Sequence, residues 1–233
     1  MRYEERLVAF MEDPDALKPN PIHSTSVAQS YGFQTALVGG VTAYGWTVRG
    51  IVEVLGEHWL DHGWVELRFR RPIYPGDDLV ITLDDAGSLR VTKGDATCFE
   101  GTAGLGDAPW HETLQISERT VPEPSPDPLP PLNASDVAIG VDLPARGIRL
   151  GVEEAIDLAT HKQRESLECF YGERPRAHPA WIAGQPIHWL HHCYDFTASI
   201  HAQSRIQHEA PAFAGEESRR RGRVLRQSKR ITF

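Results

Sequence analysis

Apolar residues between positions 41 and 55 recur at steps of three and four, and this spacing predicts a helix with one buried face. The apolar positions are Val41, Tyr44, Val48, Ile51, Val52 and Leu55. Gly56 follows them at the position where glycine commonly ends a helix. Small residues on both flanks of this predicted helix allow the backbone of another element to approach it closely. The sequence therefore predicts a buried central helix.

Segments in which apolar and polar residues alternate follow this helix, separated by the turn formers Pro-Gly-Asp and Asp-Ala-Gly. Such alternation predicts strands, here over residues 64–69, 79–83, 88–92 and 97–103. A strand over 3–8 and a short helix over 25–31 are predicted before the central helix. One long helix followed by several antiparallel strands favours an α+β fold, in which the sheet curls around the helix.

The remainder of the chain repeats this order less clearly. Proline alternates with polar residues over 121–145, which predicts a linker between a first domain (1–120) and a second (146–233). Helices are predicted over 151–160, 166–170 and 182–194, and strands over 197–208 and 223–233. The segments PIYPGD at 72–77 and PAFAGE at 211–216 share one pattern, and the dipeptide YG at 31–32 recurs at 171–172 with almost the same separation. We expect a tandem duplication whose second unit lacks about two strands.

Composition and charge narrow the function classes. The 233 residues are 40% hydrophobic and 24% charged, as in ordinary globular proteins. The net charge of −8 argues against a general nucleic-acid binder, although seven basic residues cluster between positions 219 and 230. That cluster predicts either contact with a phosphorylated ligand or nucleic acid, or a solvated face. The three cysteines are widely spaced, which excludes a disulfide framework or a zinc ribbon.

Membrane and export signals are missing from the pattern. No stretch approaches the roughly 20 apolar residues that span a bilayer. The first residues include acids where a signal peptide carries basic residues and then an apolar run. We therefore expect a cytoplasmic protein without a membrane partner.

His23 and Gly40 are the leading candidates for chemistry. An imidazole in a turn restricted by a preceding proline can transfer protons near neutral pH. A glycine pair that opens a helix, Gly39 and Gly40, offers backbone N–H groups to a carbonyl oxygen that gains negative charge. The alternative is a surface histidine and a helix that begins with glycine for packing.

Four segments carry a family resemblance: NPIH at 20–23, YGF at 31–33, GGV at 39–41 and FRRPIYPGD at 69–77. In this order they resemble the MaoC-like hotdog family of (R)-specific enoyl-CoA hydratases and dehydratases. The resemblance covers about residues 18–83. It implies a tandem hotdog fold and a hydro-lyase that acts on an acyl thioester, with His23 as the proton carrier and no metal. Coenzyme A or phosphopantetheine would be part of the substrate and not a separate cofactor.

One departure weakens the implied mechanism. The family has an aspartate five residues before the histidine, and this chain has Lys18 there. A charged lysine accepts no proton, so a second base would have to come from Asp13 or Asp15. Two alternatives stay open: a non-catalytic hotdog that binds an acyl group or pairs with another subunit through its sheet edge, as a homodimer or hetero-oligomer, and a pocket adapted to rearrange or cyclise a biosynthetic intermediate.

Other polar groups have weaker cases. Arg68, Arg70 and Arg71 are candidates to bind the phosphates of a coenzyme A or carrier arm, although alternating arginines are typical of a solvated strand face. His178 and Pro179 weakly resemble the histidine-proline segment of related hotdog dehydratases. The spacing of His188, His191 and His192 permits a metal site. Core or interface positions are the favoured interpretation of these three.

Overall fold

The computed structural model describes residues 3–12, 20–114, 119, 121–132, 142–196 and 199–220, with backbone only for 217–220. The predicted strand over 223–233 lies outside these residues, as do Asp13, Asp15 and Lys18. The helices are α1 (Thr25–Ser30), α2 (Gly40–Gly45), α3 (Val48–Leu55), α4 (Trp59–His62), α5 (Val152–Asp157) and α6 (Pro179–Cys193). The strands are β1 (Tyr3–Val8), β2 (Gly63–Phe69), β3 (Asp78–Leu83), β4 (Ser88–Lys93), β5 (Ala96–Leu105), β6 (Arg146–Arg149), β7 (Gln203–Gln207) and β8 (Glu217–Arg220).

Six strands form one antiparallel sheet in the order β1-β3-β4-β5-β2-β7. All five strands predicted in the first part of the chain are confirmed. Their alternate residues, such as Val65, Leu67 and Ile81, are buried with Val48 and Ile51 of α3 in the main core. The sheet therefore packs against the central helix, as the α+β prediction requires.

The central helix differs from the prediction because it is divided. Helix α2 ends at Gly45 and α3 begins at Val48. Between them, both the backbone N–H and the hydroxyl of Thr47 donate to the carbonyl of Tyr44, at 2.9 and 2.7 Å. A hydroxyl that bonds back into the preceding turn competes with the regular ladder, which explains the break. Gly56 ends α3 at φ 88°, as predicted.

Strand β7 joins the later part of the chain to the first sheet. It is shorter than the predicted strand over 197–208 and pairs antiparallel with β2, with Glu66 opposite Arg205. The separation of these two residues in the sequence equals that between the first residues of α2 and α6. It also equals that between the first residues of β3 and β8. The duplication predicted from the sequence stays a prediction.

The second part of the chain has a smaller sheet than the first. Strands β6 and β8 pair only with each other among the described residues. No described strand joins this pair to β7, which lies at the edge of the six-stranded sheet. The proline-rich segment packs against the end of α6, where Asp195 N–H donates to Pro130 O and Leu132 N–H donates to Asp195 O. This segment covers the helix and is therefore more than a free spacer.

Candidate functional site

His23 lies at the end of a short 3-10 turn, Pro21–His23, which is stabilised because proline presets the first turn. Its Nδ1 is 2.8 Å from the carbonyl oxygen of Leu37. A carbonyl only accepts hydrogen bonds, so in the neutral ring Nδ1 carries the proton and Nε2 carries the lone pair. The fold thereby sets Nε2 as the proton-accepting atom.

This imidazole lies beside the start of α2. A Cβ at Gly39, the N-cap, would lie 3.6 Å from Cε1 and 3.7 Å from Nε2 of His23. Among the described residues, no acceptor takes the N–H of Gly40. The structure thus places the imidazole beside Gly39, the residue that precedes Gly40 at the start of α2.

Gly40 has a second neighbour that comes from the later part of the chain. A Cβ at Gly40 would lie 2.9 Å from Cβ of His201, so glycine is required there for this close approach. The His201 ring packs against Phe69 with centroids 4.8 Å apart, and its Nε2 is 2.6 Å from Ser204 Oγ. Burial lowers the pKa of His201 to about 4, against a hydrogen bond with the Gln203 backbone that raises it. The ring is therefore neutral near pH 7.

Asn20 connects His23 to the same later segment. Its Nδ2 donates to the carbonyl of Ser199 at 2.8 Å, and the N–H of Ser199 donates to its Oδ1 at 3.3 Å. Nδ2 also faces Nε2 of His23 at 3.5 Å. The immediate surroundings of His23 thus include residues that are distant from it in the sequence.

The candidate phosphate-binding arginines are not brought to this site. Arg68 alternates with the buried Leu67 along β2 and lies on the outer face of the sheet. Arg70 bonds Glu100 at 2.9 and 3.0 Å, and both arginines line an open groove of about 370 Å³. Arg71 is exposed just beyond β2.

The start of α6 is built differently from the start of α2. His178 is the N-cap, and its Nδ1 accepts from the N–H of Ala180 at 3.1 Å. Its Nε2 therefore carries the proton and faces Glu165 Oε2 at 3.7 Å, with both side chains buried. Burial lowers the pKa of His178, although Glu165 opposes this shift. The side chain of Gln163 is buried nearby, beside Gly45 and Ala180.

Two of the three candidate histidines of α6 contact protein groups, and the third, His188, is exposed. His192 Nε2 is 2.9 Å from the carbonyl of Glu123, and His191 stacks on Phe196 with centroids 4.1 Å apart. Within the described ranges, no three His, Cys, Asp or Glu residues are grouped so that they could hold a metal ion. No described helix has the length and apolar character needed to cross a membrane.

Sequence reasoning missed three neighbours of the site. Asn20 belongs to the NPIH segment, so its proximity to His23 could have been expected. Ser199 and His201 carry no local signal, because their contacts depend on the pairing of β7 with β2. That pairing was not predicted.

Comparisons with known proteins support the fold. No family model matches the sequence, and no curated protein matches it. A solved structure described as a MaoC-like dehydratase superposes with a TM-score of 0.55 at 14% identity, over 89% of this chain and 80% of that one. A putative MaoC domain protein dehydratase from Chloroflexus aurantiacus J-10-fl gives a TM-score of 0.57 at 17% identity, over 87% and 71%. The predicted hotdog fold is thus confirmed.

Proposed function

We propose that the protein is a hydro-lyase that adds water to, or removes water from, the α,β bond of an acyl thioester. The observation that carries this proposal is the fixed geometry of His23. Its Nδ1 is held by Leu37 O at 2.8 Å, and its Nε2 lies beside the helix start at Gly39. The fold shared with MaoC-like dehydratases supports the choice of reaction by analogy.

The reaction can proceed with one proton carrier. In dehydration, Nε2 of His23 accepts the proton from the carbon next to the thioester carbonyl. The Gly40 N–H donates to the carbonyl oxygen, which becomes negative as the enolate-like intermediate forms. The imidazolium then returns its proton to the departing hydroxyl group, so that water and a double bond are produced. This route needs no carboxylate at position 18.

Phosphate recognition and the substrate arm belong to the same proposal. Coenzyme A or phosphopantetheine carries the acyl group, and no further cofactor takes part. Because Arg68 and Arg70 are already near carboxylates on the outer sheet face, we assign them at most a peripheral contact with substrate phosphates. Asp13 and Asp15 stay candidates for a second base.

The decisive experiment measures hydration of a crotonyl thioester and dehydration of a 3-hydroxyacyl thioester. His23→Ala should lower kcat by about 10²- to 10⁴-fold, as removal of a proton-transfer group does. His161→Ala is the matched control, because that histidine is exposed and, within the described part of the chain, bonds only its near neighbours Asp157 and Thr160. An active wild type that is unaffected by His23→Ala contradicts the site assignment.

A non-catalytic role in subunit pairing is the second candidate, and the edge of β7 favours it. Among the described residues, β7 pairs only with β2, so its other edge has no strand partner. Such an edge can accept a strand from another chain. Thermal-shift measurements with coenzyme A and with free fatty acids test for a thioester ligand. The mass in solution tests for a homodimer or hetero-oligomer.

A further inference from the structure

The site of the first part of the chain is in contact with a short segment of the second. This segment, residues 199–204, runs into β7 and contacts Asn20 through Ser199 and Gly40 through His201. The pairing of β7 with β2 holds it in place, since Arg68 lies opposite Gln203 in that register. The arrangement makes the geometry around His23 depend on residues that are distant in the sequence.

We propose that Asn20 is a positioning residue for His23, and that the backbone of Ser199 controls it. The inference rests on the proposed function of His23 as proton carrier. It assigns the second part of the chain a direct role in that function, through contacts with the Asn20 amide.

The Ser199 backbone determines which end of the Asn20 side-chain amide is the NH₂ group and which is the oxygen. Its carbonyl can only accept and lies 2.8 Å from one end of the amide, which must therefore be the NH₂ group. Its N–H can only donate and lies 3.3 Å from the other end, which must be the oxygen. Two complementary contacts from one residue thus select a single amide orientation.

The orientation of the Asn20 amide determines which of its two groups faces the His23 ring. The NH₂ group of Asn20 lies 3.5 Å from Nε2, and a donor at this position favours a ring nitrogen that carries a lone pair. Leu37 O favours the same tautomer from the opposite side of the ring, because it requires the proton on Nδ1. The hydrogen bond with Leu37 and the contact with Asn20, whose orientation depends on the second part of the chain, therefore favour the same His23 tautomer.

The test compares three variants in the full-length chain. Asn20→Asp keeps the side-chain shape but replaces the NH₂ donor with a carboxylate oxygen, which favours a proton on Nε2. Asn20→Ala removes the contact altogether. Ser199→Ala is the matched control, because it removes only the Oγ contact at 3.3 Å and keeps both backbone contacts.

Nitrogen-15 NMR of the histidine rings at neutral pH reports the tautomer without reference to activity. We expect wild type and Ser199→Ala to show His23 protonated at Nδ1 alone. Asn20→Asp should shift the ring toward the doubly protonated form. Asn20→Ala should shift the Nε2 signal through loss of the contact at 3.5 Å, while Leu37 O keeps the proton on Nδ1. Near-UV circular dichroism confirms that each variant is folded.

Kinetics on the acyl thioester complete the test. We expect kcat to fall about 10- to 100-fold in both Asn20 variants, with a smaller change in KM. Folded Asn20 variants whose His23 ring signals match those of wild type would overturn the proposal. If the ring signals respond but wild type acts on no acyl thioester, the proposed function fails and the positioning role stands.

Discussion

The starts of helices α2 and α6 differ in how the N-cap residue treats the first turn. At α2 the N-cap is Gly39, which has no side chain, and the space beside it is occupied by the His23 ring. At α6 the N-cap His178 bonds the first turn with its own side chain, and Pro179 lacks an N–H donor. The same helix position is therefore accessible to a partner group in one case and satisfied internally in the other.

This difference concerns which nitrogen atoms of each histidine the helix uses. A histidine outside the helix, such as His23, has a ring nitrogen that is not needed as a cap. A histidine at the cap, such as His178, uses one nitrogen to stabilise the helix and faces a buried carboxylate with the other. We expect substitutions at the two positions to affect different properties.

The largest expected effect on stability is at α6. His178→Ala should lower the free energy of unfolding by about 3 kcal/mol or more, because it removes the cap and leaves the Glu165 carboxylate buried with fewer partners. His23→Ala should cost about 1 kcal/mol or less, consistent with loss of one hydrogen bond. Denaturant unfolding of both variants measures the contrast.

A double variant sharpens that prediction. Adding Glu165→Gln to His178→Ala should recover part of the loss, since the buried charge is removed. The comparison between the two helix starts is wrong if His178→Ala and His23→Ala destabilise the protein equally.

Acid should weaken the protein through histidines that the fold keeps neutral. Burial lowers the pKa of His201 and that of His208 to about 4, from 6.5. Between pH 6.5 and 4 the unfolded chain binds more protons than the folded one, so stability falls as pH falls through this window. Across this window, each histidine lowers the free energy of unfolding by up to about 3 kcal/mol.

Chemical denaturation at several pH values measures this slope. His201→Phe should make it shallower, because phenylalanine does not titrate. An identical slope in His201→Phe and wild type would show that His201 is not kept neutral by folding.

The smallest expected difference in stability is between substitutions at Gly39 and Gly40, the two glycines at the start of α2. Gly40→Ala places a Cβ 2.9 Å from His201 Cβ and should cost about 1–3 kcal/mol through overpacking. Gly39→Ala meets only ordinary contacts, at 3.4 Å from Thr42 Oγ1 and 3.6 Å from His23, and should cost about 1 kcal/mol or less, because alanine is a poorer N-cap than glycine. Thermal and denaturant midpoints of the two variants are compared directly. Equal losses would mean that His201 moves aside without cost.

Local periodicity was sufficient to predict the first part of the fold. Alternation along β2, β3 and β4 places alternate side chains in the core, and the three-to-four spacing places Ile51 and Val52 there from α3. The short strands β6 and β8 were missed because four residues carry little alternation. The break at Thr47 was missed because it depends on one hydroxyl that bonds backward along the helix.

The candidate site was predicted only as far as its local motif extends. His23 and Gly40 belong to neighbouring segments of one pattern, so their proximity follows from the resemblance. Asn20 lies in the same motif, but its partner Ser199 is brought in by a strand pairing between distant regions. A pairing of that kind leaves no periodic signal in either segment.

The contact between His201 and Gly40 also has a consequence for synthesis of the chain. The two residues are far apart in the sequence, so the ribosome makes His23, Gly40 and most of the first sheet well before the segment that packs over the start of α2. A nascent chain that has reached the proline-rich segment carries the NPIH motif but lacks the His201 segment that packs against Gly40. The start of α2 can therefore gain its contact with His201 only after the segment that leads into β7 has emerged from the ribosome.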